Sequence, residues 1–298
     1  LALARAGHEV VVLARGRRAP PLELANSRRI SFCSTDLMQE RLLVEALRGC
    51  AALAHCAGIK RECGAATFER VHVRGTANVA RAASRAGLRK IVLVSFLRAR
   101  PGTSSPYHET KWLAEEIVRG SEISYTIVKA GVVYGPGDHM LDHLARAFRL
   151  FPIVGLVGFR EQLIAPLAVE DLVTLLVAAL TRGRLDQETV AVIGPERLAL
   201  GEAVRRVACV AGYRPLLVRL PVWLHYLSAW GFEKFMAEPL ASRAQIRILT
   251  EGVVEPLPFA SEPPADLRPA TAFTDEQIRR GLPDLARTAG GLPFAWCA

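Results

Sequence analysis

The chain has no run of five or more basic residues and no basic stretch interleaved with aromatics, although Lys and Arg number 38 against 29 acidic residues and the net charge is +9. A nucleic-acid footprint needs clustered cations and stacking rings. The positive balance points instead to a small anionic partner, and a phosphorylated cofactor would suffice. The six cysteines, Cys33, Cys50, Cys56, Cys63, Cys209 and Cys297, contain no C-x-x-C pair. That excludes the common zinc spacings. His139 and His143 stand four apart, yet no HExxH accompanies them, so no metal site is expected. Cys33 and Cys56 fall in apolar strands and read as small buried hydrophobes, in keeping with a reducing, cytoplasmic setting. No apolar run reaches the ~18 residues of a membrane span, and there is no secretory signal. Internal repeats are absent.

What is present is an alternation of apolar strands and amphipathic helices. Strands are expected at 8–15, 28–33, 51–56, 90–95, 124–129 and 189–193. Helices are expected at 38–47, 67–86, 107–119, 172–180 and 201–210. Alternation of this kind implies a parallel sheet covered on both faces. Proline clusters at Pro256, Pro258, Pro263, Pro264 and Pro269, so 256–270 reads as extended and irregular.

Tyr107-His108-Glu109-Thr110-Lys111 carries the most chemistry. It follows the apolar run Ile91-Val92-Leu93-Val94-Ser95. On a helix, i and i+4 share a face, so the phenol and the ammonium point into one cleft. A neighbouring ammonium favours phenolate and is expected to lower the Tyr107 pKa from its reference near 10. General acid/base work on a carbonyl or alcohol needs such a group. His108 is expected on the opposite face. His55 reads as a packed core residue at a strand end.

These pieces resemble the short-chain dehydrogenase/reductase superfamily. The likeness is closer to its extended and atypical branch, which includes the NAD-dependent epimerase/dehydratases and relatives of an accessory subunit of respiratory complex I. Ser34-Thr35-Asp36-Leu37 is similar to the turn that contacts adenine, and Ala54-His55-Cys56-Ala57-Gly58 to a fourth strand with its small-residue end. Val73-Arg74-Gly75-Thr76-Ala77-Asn78-Val79 resembles the start of the next helix. Gly131-Val132-Val133-Tyr134-Gly135-Pro136-Gly137-Asp138 resembles the loop beside the nicotinamide, and Ala168-Val169-Glu170-Asp171-Leu172 a late helix start. The resemblance covers roughly residues 1–215. It implies an α/β, Rossmann-like doubly wound parallel sheet with a small C-terminal substrate lobe. Residues 1–150 would form the NAD(P)-binding domain, with 160–195 returning to it and 196–298 forming the lobe.

Such a fold opens with a strand, a Gly-rich turn and a helix whose N-terminus holds a pyrophosphate. Here Leu1-Ala2-Leu3-Ala4-Arg5-Ala6-Gly7 reads as the last turns of that helix, and no G-x-G-x-x-G precedes residue 8. A truncation of roughly 15–20 residues is expected from the usual size of that unit. The alternative is a member that has lost phosphate binding. On the truncation reading the sheet should have either a gap or a forced pairing between the strands at 8–15 and 51–56.

The resemblance assigns Ala14, Arg15, Arg17, Asp36, Leu37, Ala57, Gly58, Tyr107, Lys111 and Val132 to the cofactor. An Asp or Glu after the second strand would favour NAD. Ala14 stands there, followed by Arg15, Gly16, Arg17 and Arg18, and a guanidinium fork suits a 2′-phosphate. NADP is therefore expected, with NAD possible. Tyr107 would be the acid/base, Lys111 would lower its pKa and hold the nicotinamide ribose, and Ser95 would be the oxyanion partner, with Thr103, Ser104 or Ser105 as the alternatives. Leu97 stands where family members often place a hydroxyl, and Lys129-Ala130 replaces a common Arg-Pro. Those departures match members that bind cofactor without turning over.

Leu220–Phe235 carries Trp223, Tyr226, Leu227, Trp230, Phe232 and Phe235 at helical spacing. It reads first as a lobe helix packed on the core, and second as a greasy lid or a membrane-surface contact. Three functions stay open: an NADP(H)-dependent oxidoreductase on a small, lipophilic carbonyl or alcohol, a cofactor-binding subunit within a protein complex, and a nucleotide-sugar epimerase or dehydratase.

Overall fold

Ile91 and Leu93 point to one side of their strand and Val92 to the other, and each side finds its own apolar layer. That period-two pattern, apolar on both faces, is what a buried parallel strand requires. The computed structural model describes residues 1–16, 21–236 and 241–283. Its elements begin α1 (Ala2–Arg5), β1 (Val10–Ala14), α2 (Leu22–Ala25), β2 (Ile30–Ser34), α3 (Glu40–Leu47) and β3 (Ala52–His55). A π-helical turn, Glu69–Arg74, then runs into α4 (Gly75–Arg85). Next come β4 (Lys90–Phe96), α5 (Pro106–Arg119), β5 (Ser124–Ala130), β6 (Val133–Tyr134) and α6 (His139–Leu150). These are followed by β7 (Ile153–Val157), β8 (Leu163–Ile164), β9 (Leu167–Ala168), α7 (Val169–Thr181) and β10 (Glu188–Val192). The chain continues with β11 (Leu198–Ala199), α8 (Leu200–Val210), β12 (Leu216–Leu220), α9 (Val222–Phe235), α10 (Arg243–Glu251) and α11 (Asp275–Gly281).

The main sheet has the order β10-β5-β4-β3, all parallel. One face is covered by Leu43 and Leu47 of α3, Val79 and Ala83 of α4, and Val118 of α5. The other is covered by Leu172, Leu175 and Ala179 of α7. This is the doubly covered parallel α/β fold expected from the alternation. Among the described residues β1 and β2 pair in parallel with each other alone, and β1 does not pair with β3. The expected break in the sheet falls there.

A second apolar cluster gathers Leu141 and Phe148 of α6, Val204 and Val207 of α8, and Ile278 of α11. Short pairings tie this part together: β7 with β12 in parallel, β8 with β11 antiparallel, and β6 with β9 in parallel. Within 256–270 the backbone is irregular apart from a three-residue turn at Ala265–Leu267. Ser261 bridges β10, donating to the Thr189 carbonyl and accepting from Ala191 N–H at 2.9 and 2.8 Å. Gly194 lies against backbone, since a Cβ there would meet the Pro166 carbonyl oxygen at 1.8 Å. Among the described residues no helix is long and apolar enough to cross a membrane.

Candidate active site

Helix α5 begins at Pro106, whose fixed φ suits a first helical position. Its first turns bury Tyr107, His108, Thr110 and Lys111. Tyr107 and Lys111 line one cavity of about 460 Å³ with Cys56, Ser95, Phe96, Val132 and residues of α8 and α10. The shared cleft expected from the four-residue spacing is present.

The electrostatics differ from the expectation. The Tyr107 ring is 6% exposed and packs edge-on against Phe68, Phe96, His72 and His108 at 5.6–5.7 Å. Burial raises its pKa, and no lowering by Lys111 offsets that. Desolvation also acts on the amine. Lys111 is lowered to about 8, chiefly by burial, with Cys56 and Glu115 opposing and Lys60 assisting. Its Nζ donates to the Val94 carbonyl at 3.2 Å. A Cβ on Gly58 would come within 3.1 Å of that Nζ, so the small residue leaves the amine its room.

His108 is not on the opposite face. Consecutive helical residues are about 100° apart, and its ring lies 5.7 Å from Tyr107 and is fully buried. Glu251 of α10 approaches its Nδ1 at 3.7 Å. Burial is the main cause that lowers its pKa to about 4, with Glu251 opposing.

Ser95 lines the cavity, but its hydroxyl donates to Glu115 Oε1 at 2.5 Å. The same oxygen accepts from Lys129 Nζ at 2.6 Å, and Arg119 holds the other oxygen at 3.1 Å. Glu115 and Lys129 are both fully buried. Lys129, at the position where an Arg is common, is thus the partner of a buried carboxylate, and the Ser95 proton is already committed.

The residues assigned to the cofactor fall in two places. Arg15 and Asp36 border a hollow with Ser34, Thr35 and Gln39 beyond the ends of β1 and β2. Ala14 accepts from Thr35 N–H at 2.9 Å, which closes the strand ends together. Asp36 caps its own turn by accepting from Met38 N–H at 2.9 Å. Leu37 is pinned to α4, with Asn78 donating to its carbonyl at 2.8 Å. Arg17 lies outside the described residues. Gly58 sits beside Lys111 and Val132 lines the large cavity, with Ala57 between Gly58 and the cavity residue Cys56 in the chain. Cys56 is exposed at the strand end rather than buried, and Cys33 is half-buried.

One residue escaped the sequence reading. His72 lies in the π-helical turn and is 2% exposed. Its Nε2 accepts from Ile59 N–H at 3.1 Å and its Nδ1 meets Thr110 Oγ1 at 3.0 Å. The imidazole thus joins the loop after β3 to the first turn of α5. Burial, with Lys111 nearby, lowers its pKa to about 3 and keeps it neutral. A histidine beside two valines at a helix start is the only signal the sequence carried. His55, as expected, is a core residue bonded to Thr76 at 2.9 Å. Among the described residues no group of His, Cys, Asp and Glu could hold a metal ion.

Residues 1–194 match the model of the NAD dependent epimerase/dehydratase family. The chain belongs to that family. It is 30% identical over 220 residues to a ceramide reductase of Caulobacter vibrioides, covering 74% of this chain and 68% of the relative. It is 25% identical over 191 residues to the mitochondrial NADH-ubiquinone oxidoreductase 40 kDa subunit of Neurospora crassa, covering 64% of this chain and 50% of that one. It spans only 25% of an uncharacterized Mycobacterium tuberculosis protein to which it is 23% identical. Among solved structures, the Bordetella bronchiseptica enzyme WbmG in complex with NAD and UDP superposes with a TM-score of 0.65 at 16% identity, covering 94% of this chain and 87% of that one. At that identity the likeness speaks for the Rossmann-type fold alone.

Proposed function

We propose that this family member is an NADP(H)-dependent oxidoreductase acting on a carbonyl or alcohol of a small lipophilic molecule. One observation carries the reading: Tyr107 and Lys111 wall a cavity whose other lining residues are mostly Leu, Ile, Val, Ala and Phe. Among the described lining residues the lobe contributes no Arg or Asn, the side chains that would receive a sugar diphosphate. The ceramide reductase similarity supports a lipophilic substrate class.

The residues present fit the nicotinamide and adenosine ends of a dinucleotide. Gly58 leaves open space beside Lys111, and Arg15 borders the hollow at the adenosine end where no carboxylate ends β1. Arg15 would take the 2′-phosphate, Lys111 the nicotinamide ribose, and Val132 the ring. The cofactor supplies the reducing equivalent. Tyr107 Oη holds the proton that passes to the substrate oxygen, and the high pKa of the buried phenol keeps that proton in place until an oxyanion develops. The apolar walls exclude water from that transfer.

A second reading is favoured by the Ser95 hydroxyl, committed to Glu115: the chain holds the cofactor without turnover, as a subunit of a larger assembly. Tyr107→Phe separates the two. The oxidoreductase reading expects a rate loss of ~10²–10⁴-fold with NADPH affinity within a few-fold of wild type. Bound NADPH with no oxidation of it by any hydrophobic aldehyde or ketone, in wild type as in Tyr107→Phe, would establish the non-catalytic reading. Tighter binding of NADH than NADPH would refute the assignment of Arg15.

A further inference from the structure

Helix α9 is turned inside out. Trp223, Leu227, Trp230 and Lys234 recur at four, three and four residues, so they form one stripe. That stripe faces outward: Trp223, Leu227 and Trp230 are 66%, 57% and 47% exposed. Polar side chains of the helix are turned inward or along its flank. His225 donates to the Leu156 carbonyl at 3.1 Å, and Glu233 is held by Arg243 at 2.8 Å. The inward side is satisfied by Ala229, Val222 and Tyr226, which pack on Val157 and on Ile246 of α10.

The apolar surface extends past the helix. Gly158 touches Val222, which places Phe159, 71% exposed, by the first turn of α9. Ile153 and Leu216, paired across β7 and β12, are 54% and 62% exposed. Patches of this kind mark contact surfaces.

We infer that this face docks on the surface of an anionic lipid bilayer. These observations select that occupant. Trp and Tyr are the aromatic side chains enriched at a membrane interface, and two Trp stand exposed on the stripe. Arg219, Arg243 and Arg247 are each paired with a carboxylate, Glu161, Glu233 and Glu251 at 3.2, 2.8 and 2.9 Å, so the charge that the stripe itself offers to acidic headgroups is Lys234. Lys234 lies over the Trp230 ring at 5.2 Å, with its charge at the polar edge of an apolar stripe. Finally, α10 packs on α9 through Ile246 and Leu249, and those two residues with Gln245 and Ile248 also line the cavity. A lipophilic molecule leaving the bilayer at α9 therefore meets the cavity one helix away. That last link rests on the proposed chemistry; the docking itself does not.

Flotation of the full chain with two kinds of vesicle tests this: phosphatidylcholine alone, and phosphatidylcholine mixed with phosphatidylglycerol. Wild type should float with the mixed vesicles and much less with the neutral ones. Trp223→Ser combined with Trp230→Ser should reduce partitioning at least roughly tenfold. Lys234→Glu should weaken binding to the mixed vesicles alone, by roughly tenfold. Both sites are exposed, so thermal midpoints should stay put. Tyr107→Phe should float like wild type, which separates this result from any failure of the catalytic reading. Wild type that floats with neither vesicle would overturn the inference. So would a dimer in sedimentation velocity that the Trp substitutions dissolve without any vesicle binding, since the face would then belong to a second copy.

Discussion

Glu115→Ala is the most informative single change in the core. Glu115 and Lys129 are fully buried and 2.6 Å apart. Removing the carboxylate leaves the Lys129 ammonium with the Ala99 carbonyl at 2.8 Å and no counter-charge. Stripping one member from a buried pair costs about 3–5 kcal/mol. The loss has a ceiling, because burial already lowers the Lys129 pKa and the amine can shed its proton instead. Lys129→Met should cost less, about 1–3 kcal/mol, since Arg119 and Ser95 still satisfy both carboxylate oxygens. Glu115→Leu with Lys129→Met should recover much of the loss, since apolar replacement of a buried pair is often neutral. Urea unfolding followed by circular dichroism reads all three. With a slope of about 3 kcal/mol per molar, Glu115→Ala should lower the midpoint by roughly 1–2 M. A midpoint within a few tenths of wild type would refute the argument. So would a Glu115→Ala, Lys129→Met double variant whose loss equals the sum of the two single losses.

Three further outcomes follow from the same kind of accounting. His55, His72 and His108 have folded pKa values of about 4, 3 and 4, lowered mainly by burial, below the unfolded value near 6.5. Unfolding therefore takes up protons between pH 6.5 and about 4, stability falls as pH falls through that window, and the slope can reach roughly 4 kcal/mol per pH unit; equal urea midpoints at pH 7 and pH 5 would contradict this. His72→Ala should release Ile59 from α5 and raise the Kd for NADPH roughly tenfold, with His72→Gln recovering part of it; titration of NADPH fluorescence checks both. Gly194→Ala should destabilise by more than ~3 kcal/mol, because its Cβ would meet backbone that cannot move aside. A thermal midpoint unchanged by that substitution would show that the turn relaxes.

The parallel sheet was legible because Ile91-Val92-Leu93 and Ile127-Val128 are apolar on both faces, a pattern that few other arrangements satisfy. The pairings of β6 with β9 and β8 with β11 were not, since two-residue strands have no periodicity to detect. The Tyr107–Lys111 face followed from helical spacing alone. The sign of the Tyr107 shift did not, because it depends on Phe68, Phe96 and His72 closing around the ring, and Phe68 and His72 lie more than 30 positions away. The Ser95 position was readable from the strand end, but its commitment to Glu115 is a contact between β4 and α5 that no local pattern encodes. The outward stripe of α9 could be listed from the sequence, yet which side faced water depended on His225 reaching the Leu156 carbonyl.

The position of β4 and β5 in the sheet has a consequence for motion. Each is paired in parallel on both sides, β4 with β3 and β5, and β5 with β4 and β10. Ladders of this sort are what make strands open together. The β4 and β5 amides thus wait for global unfolding before they exchange with solvent, and Ser95 and Lys129 are carried by the part of the sheet that opens last.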